Sequence, residues 1–163
     1  MQGLPPHRDH RLAYSFIFYV AALLFFGVGA ITTLGLKWYA GLVKPLWTPP
    51  DLMVALIWIL LFITTALSVS LFWSASLHRE RKFALTLGLY AANSLLVLLW
   101  NYLFFGLNRL DLAWWSAIAV GASIVLLMLH LWRNHRAAAL LLLPYLAWMV
   151  FALAFTHTLL VLN

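Results

Sequence analysis

The chain has 163 residues, of which 66% are hydrophobic and only 9% are Asp, Glu, Lys or Arg, with a mean hydropathy of +0.98. A soluble domain is about half apolar and about a quarter charged, so this is the composition of a polytopic membrane protein, with no length to spare for a separate soluble domain. The net charge of +6 would suggest nucleic acid in a soluble protein, but here the basic residues sit in short turns, where they act as topology and headgroup signals; no nucleic-acid partner is expected.

In chain order, residues 1–11 read as a polar tail and the rest, 12–163, as one transmembrane domain. The first apolar run, Leu12–Leu36, is about twice as long as a signal-peptide core and predicts a retained span. Its Gly27, Gly29 and Ala30 offer a close helix contact. Residues 37–50 form a connection stiffened by Pro45, Pro49 and Pro50. Proline lacks an N–H and fixes φ, so no continuous helix is expected there. Asp51–Leu77 is the second span, with Thr48 as expected N-cap, Pro49 at the first helical position and Asp51 at the positive end of the dipole.

A basic turn, 78–82, leads to the third span, Phe83–Phe105. After the turn around Arg109 comes the fourth span, Asp111–Trp132. A second basic turn leads to the fifth, Ala137–Leu162, where Pro144 is expected to bend the helix. The fold class is therefore an all-α membrane protein, a bundle of five transmembrane helices. Seven Lys and Arg fall on the N-terminal side and three on the other (Lys37, Lys44 and Arg109). That bias places the N-terminus in the cytoplasm, with the 37–50 connection and the C-terminus outside.

The chemistry within the spans is sparse. There are no cysteines, which excludes disulfides and thiolate sites, and no Asp or Glu lies mid-span. No metal-spaced His cluster or phosphate loop occurs, so an enzyme of ordinary acid–base type is not expected. Asn93, mid-span on the third helix, is expected to face the bundle and bond another helix. Thr64, Thr65, Ser68 and Ser70 are expected to return their hydroxyls to their own helix, and His157 to be a satisfied polar group.

The nine tryptophans divide in two. Trp73, Trp114, Trp115 and Trp132 lie at span ends and read as interfacial anchors. Trp38, Trp47, Trp58, Trp100 and Trp148 fall in the outer half of the bundle or at its rim, with Trp58 and Phe62 on one helix face. Two readings fit this group: dense aromatic packing, or a cavity walled by indoles that suits a flat apolar ligand. Small residues four apart, Gly88 and Ala92 on the third span and Ala113, Ala117 and Gly121 on the fourth, allow close helix approach. Gly88 and Ala92 are the expected homodimer face.

Four motifs carry a family resemblance: Trp38-Tyr39 with Lys44-Pro45-Leu46-Trp47-Thr48-Pro49-Pro50; Trp58 through Phe62; Trp100 with Phe104-Phe105-Gly106 and Arg109 to Ala113; and Pro144-Tyr145-Leu146-Ala147-Trp148. In order and spacing they resemble the translocator protein / tryptophan-rich sensory protein (TspO/MBR) family. The resemblance implies a five-helix bundle, often dimeric, with the first connection lidding a pocket that takes porphyrin, haem or other flat hydrophobic ligands, in a sensory, regulatory or transport role. No further cofactor is expected to be required, and a bacterial cell membrane is the expected location. Carried over by position, the ligand-binding residues would be Trp38, Pro45, Trp47, Trp58, Phe62, Asn93, Trp100, Tyr145 and Trp148. The alternatives are transport of a tetrapyrrole and light-dependent porphyrin breakdown, with Trp58 and Trp148 as the catalytic residues. Lys44 would pair with a propionate or a lipid headgroup. Val97 stands where the family often has a second Asn, and Phe155-Thr156 where it often has Leu-Asn, so the pocket is expected to be less polar. The chain ends without the weak cholesterol pattern of animal members.

Overall fold

On the fourth span, Ala113, Ala117, Val120, Ile124, Leu127 and Leu131 are buried at alternating spacings of four and three. That rhythm keeps one seam of a helix turned towards its neighbours, and the small residues at its start let backbones approach where lipid offers no hydrophobic drive to association. The helix carrying this seam is the centre of the bundle in the computed structural model. The structure describes the backbone of residues 7–75 and 80–163 and the side chains of residues 14–74 and 83–163.

The helices are α1 (His7–Gly41), α2 (Asp51–Ala75), α3 (Glu80–Asn101), α4 (Leu110–Trp132), α5 (Arg136–Leu140) and α6 (Leu143–Leu162), with no strand among the described residues. Among the described residues, five stretches are long and apolar enough to cross a membrane, the fifth being α5 and α6 together. α4 packs on α3 and α6, while α1 packs on α2, on α3 and on the turn that follows α3. The end of the bundle bearing the 42–50 connection is called here the loop end, and the opposite one the far end.

Several boundaries differ from those expected. α1 starts at His7, inside the stretch read as a tail, and runs to Gly41. Trp38 and Tyr39 are therefore in its last turn and the connection is only 42–50. Nothing before Pro45 forbids helix, so the chain stays helical until Gly41. The expected N-cap is also corrected. Thr48 closes a turn on Pro45, its N–H and its hydroxyl both donating to the Pro45 carbonyl (3.0 and 2.6 Å). That commits its side chain away from α2, whose first backbone bond runs from the Val54 N–H to the Pro50 carbonyl. The basic turn 78–82 lies outside the residues described with side chains.

α3 ends in a wide π turn, Tyr102–Gly106, where the Leu107 N–H reaches the Tyr102 carbonyl (2.9 Å). This turn lies against α1 at Gly35. A Cβ there would sit 2.7 Å from the Phe105 Cα and closer still to its carbonyl oxygen, so only hydrogen fits. The close contact is thus made by Gly35 and not by Gly27, where a Cβ would meet only Leu98 at an ordinary 3.8 Å, nor by Gly29, which faces open space.

The bend expected at Pro144 is a full break. Pro144 sits in the first turn of α6 and cannot donate to the turn before it, and the helix interrupts at Leu141 and Leu142. The Leu142 N–H bonds to the Ala139 carbonyl, which leaves the Ala138 carbonyl without its helical donor. Ser68 of α2 supplies one, its hydroxyl donating to that oxygen at 2.6 Å. Ser68 therefore ties two spans together, in contrast to its expected return to its own helix, which Thr64 and Ser70 do make.

At the loop end, the side chain of Asn163 accepts from the Val43 N–H (2.9 Å) and donates to the Val43 carbonyl (3.1 Å), pinning the connection to the end of α6. Trp47 stands edge-on to Phe151 and Phe155, each at 5.6 Å, and the Lys44 ammonium lies 4.5 Å from the centre of the Tyr39 ring.

Candidate functional site

Below the connection, the aromatic side chains fill one another's space. From the loop end inward, Trp38 meets Phe104 (5.7 Å), Phe104 meets Trp100 (5.5 Å), Trp100 meets Trp58 (6.3 Å) and Trp58 meets Phe62 (5.9 Å). On α6, Trp148, Phe151 and Phe155 stack in a column that Trp47 caps. A void of about 10 Å³ lies between Trp58, Trp100 and Trp148. In the half of the bundle nearest the loop, dense aromatic packing is thus the reading the structure bears out. The Trp100 indole N–H is buried there without an acceptor.

The large cavity lies lower. It measures about 270 Å³ and runs from mid-depth towards the far end, walled by α1 from Phe16 to Val28, by α2 from Trp58 to Trp73 and by α3 from Leu87 to Leu98, with Tyr145 of α6 closing one side. No residue of 37–50 lines it. The pocket was expected directly beneath that connection. The displacement has a physical cause, because the indoles of the upper half pack on each other and leave the free volume where residues are smaller.

The nine ligand-site candidates therefore separate. Trp58, Phe62, Asn93 and Tyr145 line the cavity. Trp100 and Trp148 border only the small void, on the other side of Trp58. Trp38, Pro45 and Trp47 border neither.

Asn93 is 4% exposed and joins three helices: its amide donates to the Ser123 hydroxyl on α4 (2.8 Å), and its carbonyl accepts from the Tyr145 hydroxyl on α6 (3.0 Å). This is the bundle-facing role expected of it. Tyr145 stands in the first turn of α6, just past the interruption at Leu141 and Leu142. One turn from Asn93 towards the far end, the Tyr90 hydroxyl bonds to that of Ser68 (2.6 Å). The Ser94 hydroxyl donates to the Tyr90 carbonyl (3.0 Å).

Sequence reasoning missed Tyr90, Ser94 and the wall position of Thr65, and it read Trp73 as an interfacial anchor. Trp73 lines the cavity and packs edge-on against Phe83 (4.7 Å). The signal that was present is the group Tyr90, Asn93 and Ser94, three and four residues apart near the middle of the third span, which marks one polar stripe.

No Lys, Arg, His, Asp or Glu among the described residues lines the cavity, and no metal-binding cluster occurs among them. His157 is exposed, with its ring 5.5 Å from Trp114. The polar groups of the cavity lining are hydroxyls, indole N–H groups and the Asn93 amide. Such a site can enclose a flat apolar molecule and orient it by a few hydrogen bonds.

The chain matches the TspO/MBR family over residues 16–162, nearly its whole length. It belongs to that family. It is 32% identical over 126 residues to the tryptophan-rich protein TspO of Archaeoglobus fulgidus, which covers 77% of this chain and 80% of that protein. It is 34% identical over 125 residues to the human translocator protein, covering 77% of this chain and 72% of that one. A Bacillus cereus tryptophan-rich protein TspO is 29% identical over 147 residues, 90% of each chain. The span 16–162 includes every wall of the large cavity, so the cavity lies wholly within the family's domain.

Proposed function

We propose that this TspO/MBR protein binds flat hydrophobic ligands of the porphyrin type in the cavity between α1, α2 and α3, as part of a sensory, regulatory or transport role. The observation that carries the reading is the joint lining of one apolar chamber by Trp58, Phe62 and Trp73 with a single polar patch at Tyr90, Asn93 and Tyr145. The cavity volume is just under the ~300–1,000 Å³ usual for small-molecule sites. It takes two or three fused rings as it stands. A full macrocycle has to part the walls or leave an edge in lipid.

The test is titration of the full chain, in lipid nanodiscs, with protoporphyrin in the dark. Saturable quenching of tryptophan emission is expected, and a linear, non-saturating response equal to that of empty discs would sink the reading. Repeating the titration under illumination separates binding from chemistry. Unchanged porphyrin absorbance fits a binder, whereas new absorbing products that vanish in Trp148→Phe would assign photochemical breakdown.

We further propose that the protein pairs with a second copy through α3, where Gly88 and Ala92 lie on a face exposed together with Leu85, Leu95 and Leu99. Small residues in such a row let two helices approach closely. Since the chain has no native cysteine, single substitutions report contacts cleanly. Ala92→Cys should form a disulfide-linked dimer in oxidised membranes and Ala119→Cys, on the exposed side of α4, should not. Equal cross-linking of the two would remove α3 as the interface.

A further inference from the structure

The seams between the helices that wall the chamber close unequally. Between α1 and α2, Phe25 stands edge-on to Phe62 (5.7 Å). Between α2 and α3, the Ser68 and Tyr90 hydroxyls bond at 2.6 Å, and Trp73 packs edge-on against Phe83 nearer the far end. None of the α2 residues in the wall is exposed. Between α1 and α3, the Asn101 amide donates to the Thr32 hydroxyl (3.0 Å) and Leu98 lies beside Gly27. Both of these ties are at the loop-side limit of the chamber or beyond it.

Towards the far end, wall residues on both sides of the α1–α3 seam are exposed: Phe16 (66%) and Val20 (38%) on α1, and Ala91 on α3. A side chain that lines a cavity and also meets the surroundings is the rim of an opening. Val20 lies six residues in from Tyr14 and Ala91 eight in from Phe83, the far ends of their apolar stretches. At ~1.5 Å per residue the two rims are about 9 and 12 Å deep, nearly level with each other and at the depth of acyl chains. Phe16 is only two residues from Tyr14, so the opening extends almost to the far membrane surface.

We infer that flat ligands of the porphyrin class enter the chamber sideways from the bilayer, through the mouth between Phe16, Val20 and Ala91, and bind with the apolar edge of the ring system inside and the ionised edge at the far membrane surface. The inference rests on the chamber being the ligand site and adds the route and the pose. A full macrocycle exceeds the chamber, and the mouth gives the excess a place. No cation among the described residues lines the chamber to pair with a propionate, and a carboxylate enclosed unpaired is strongly disfavoured. At the mouth the same carboxylate reaches headgroups and water. An approach from beneath the connection has instead to part the ring contacts that join Trp38, Phe104, Trp100 and Trp58. Ala91 lies about 60° round α3 from Gly88, at ~100° per residue. A second copy seated on Gly88 and Ala92 is therefore beside the mouth and not over it.

The experiment follows the quenching of tryptophan emission in time as protoporphyrin is mixed in the dark with the full chain in nanodiscs, empty discs being subtracted. Ala91→Phe narrows the mouth from its rim and should slow association and lower affinity several-fold. Gly88→Phe, which obstructs pairing but leaves the mouth open, should bind as the native chain does. Native association in Ala91→Phe would overturn the route, and equal slowing in both variants would assign the effect to pairing and overturn it too. A second measurement needs no variant: the emission of bound protoporphyrin in discs whose lipid carries a spin label on its acyl chain. Quenching beyond that in empty discs is expected, and bound porphyrin indifferent to the label would overturn the pose. The dimethyl ester of protoporphyrin should bind within a few-fold of the acid, because the propionates stay outside. Far tighter binding of the ester would put them inside the chamber, and loss of acid binding in Lys44→Met would put them at the loop end; either overturns the pose. A native chain that protoporphyrin never saturates would sink the ligand-site reading itself, an outcome distinct from these.

Discussion

Gly35→Ala is expected to destabilise the protein by about 3 kcal/mol, at the upper end of what overpacking usually costs. The added methyl would meet the backbone of Phe105, with the Cα at 2.7 Å, and backbone cannot swing aside as a side chain can. Relief requires separating α1 from the π turn. That separation would also disturb the contacts of Tyr39 with Phe104 and Phe105 (6.1 and 5.8 Å) and of Trp38 with Phe104. Gly29→Ala is the matched control, because a Cβ there meets nothing within 4 Å. Thermal unfolding in detergent should show a lowered midpoint for Gly35→Ala and an unchanged or slightly raised one for Gly29→Ala. Identical melting of Gly35→Ala and the native chain would show that α1 does not lie against the turn in this way.

The second large effect is on binding. Trp58 lines both the 270 Å³ cavity and the 10 Å³ void, so its indole is at once a wall of the chamber and the partition above it. Trp58→Ala should weaken binding of a flat aromatic ligand by about 1–3 kcal/mol, the loss typical when a stacking surface is removed. In affinity this is about five- to 150-fold. Trp58→Phe keeps a ring against Phe62 and should lose much less. Fluorescence titration of the two variants with protoporphyrin checks the ordering. If both bind as the native chain does, Trp58 is not part of the site.

Much of this arrangement was legible in the sequence, for identifiable reasons. Span lengths and the basic turns marked five crossings, because a bilayer fixes how much apolar helix is needed. Asn93 was legible as a cross-bundle residue, since an amide at mid-membrane has to find a partner on another helix. Trp58 and Phe62 were legible as one face by their spacing alone.

Other features depend on information a single chain pattern does not carry. The tryptophans pointed to the loop end, and they do gather there, but large rings that pack well on each other leave no room. The free volume is found beside Ala21, Ala66 and Ala91 instead. Ser68 resembled any hydroxyl that bonds its own helix. Its role follows from the carbonyl that the break before Pro144 frees on a different span. Gly27, Gly29 and Gly35 are equivalent as small residues in one helix, and only the position of Phe105 distinguishes the third. Asn163 and Val43 pair across 120 positions, with no periodic signal to link them.

The central claim is that ligand occupies the chamber between α1, α2 and α3 and not the space directly under the connection. Filling that chamber tests it most directly. Ala21 lines it from α1, and Trp47 borders neither void. Protoporphyrin titration of Ala21→Phe and Trp47→Ala, with helical content checked for both, should show affinity reduced at least about tenfold, or 1.4 kcal/mol, in the first and nearly unchanged in the second. Native affinity in Ala21→Phe together with lost binding in Trp47→Ala would contradict the account and return the site to the loop end.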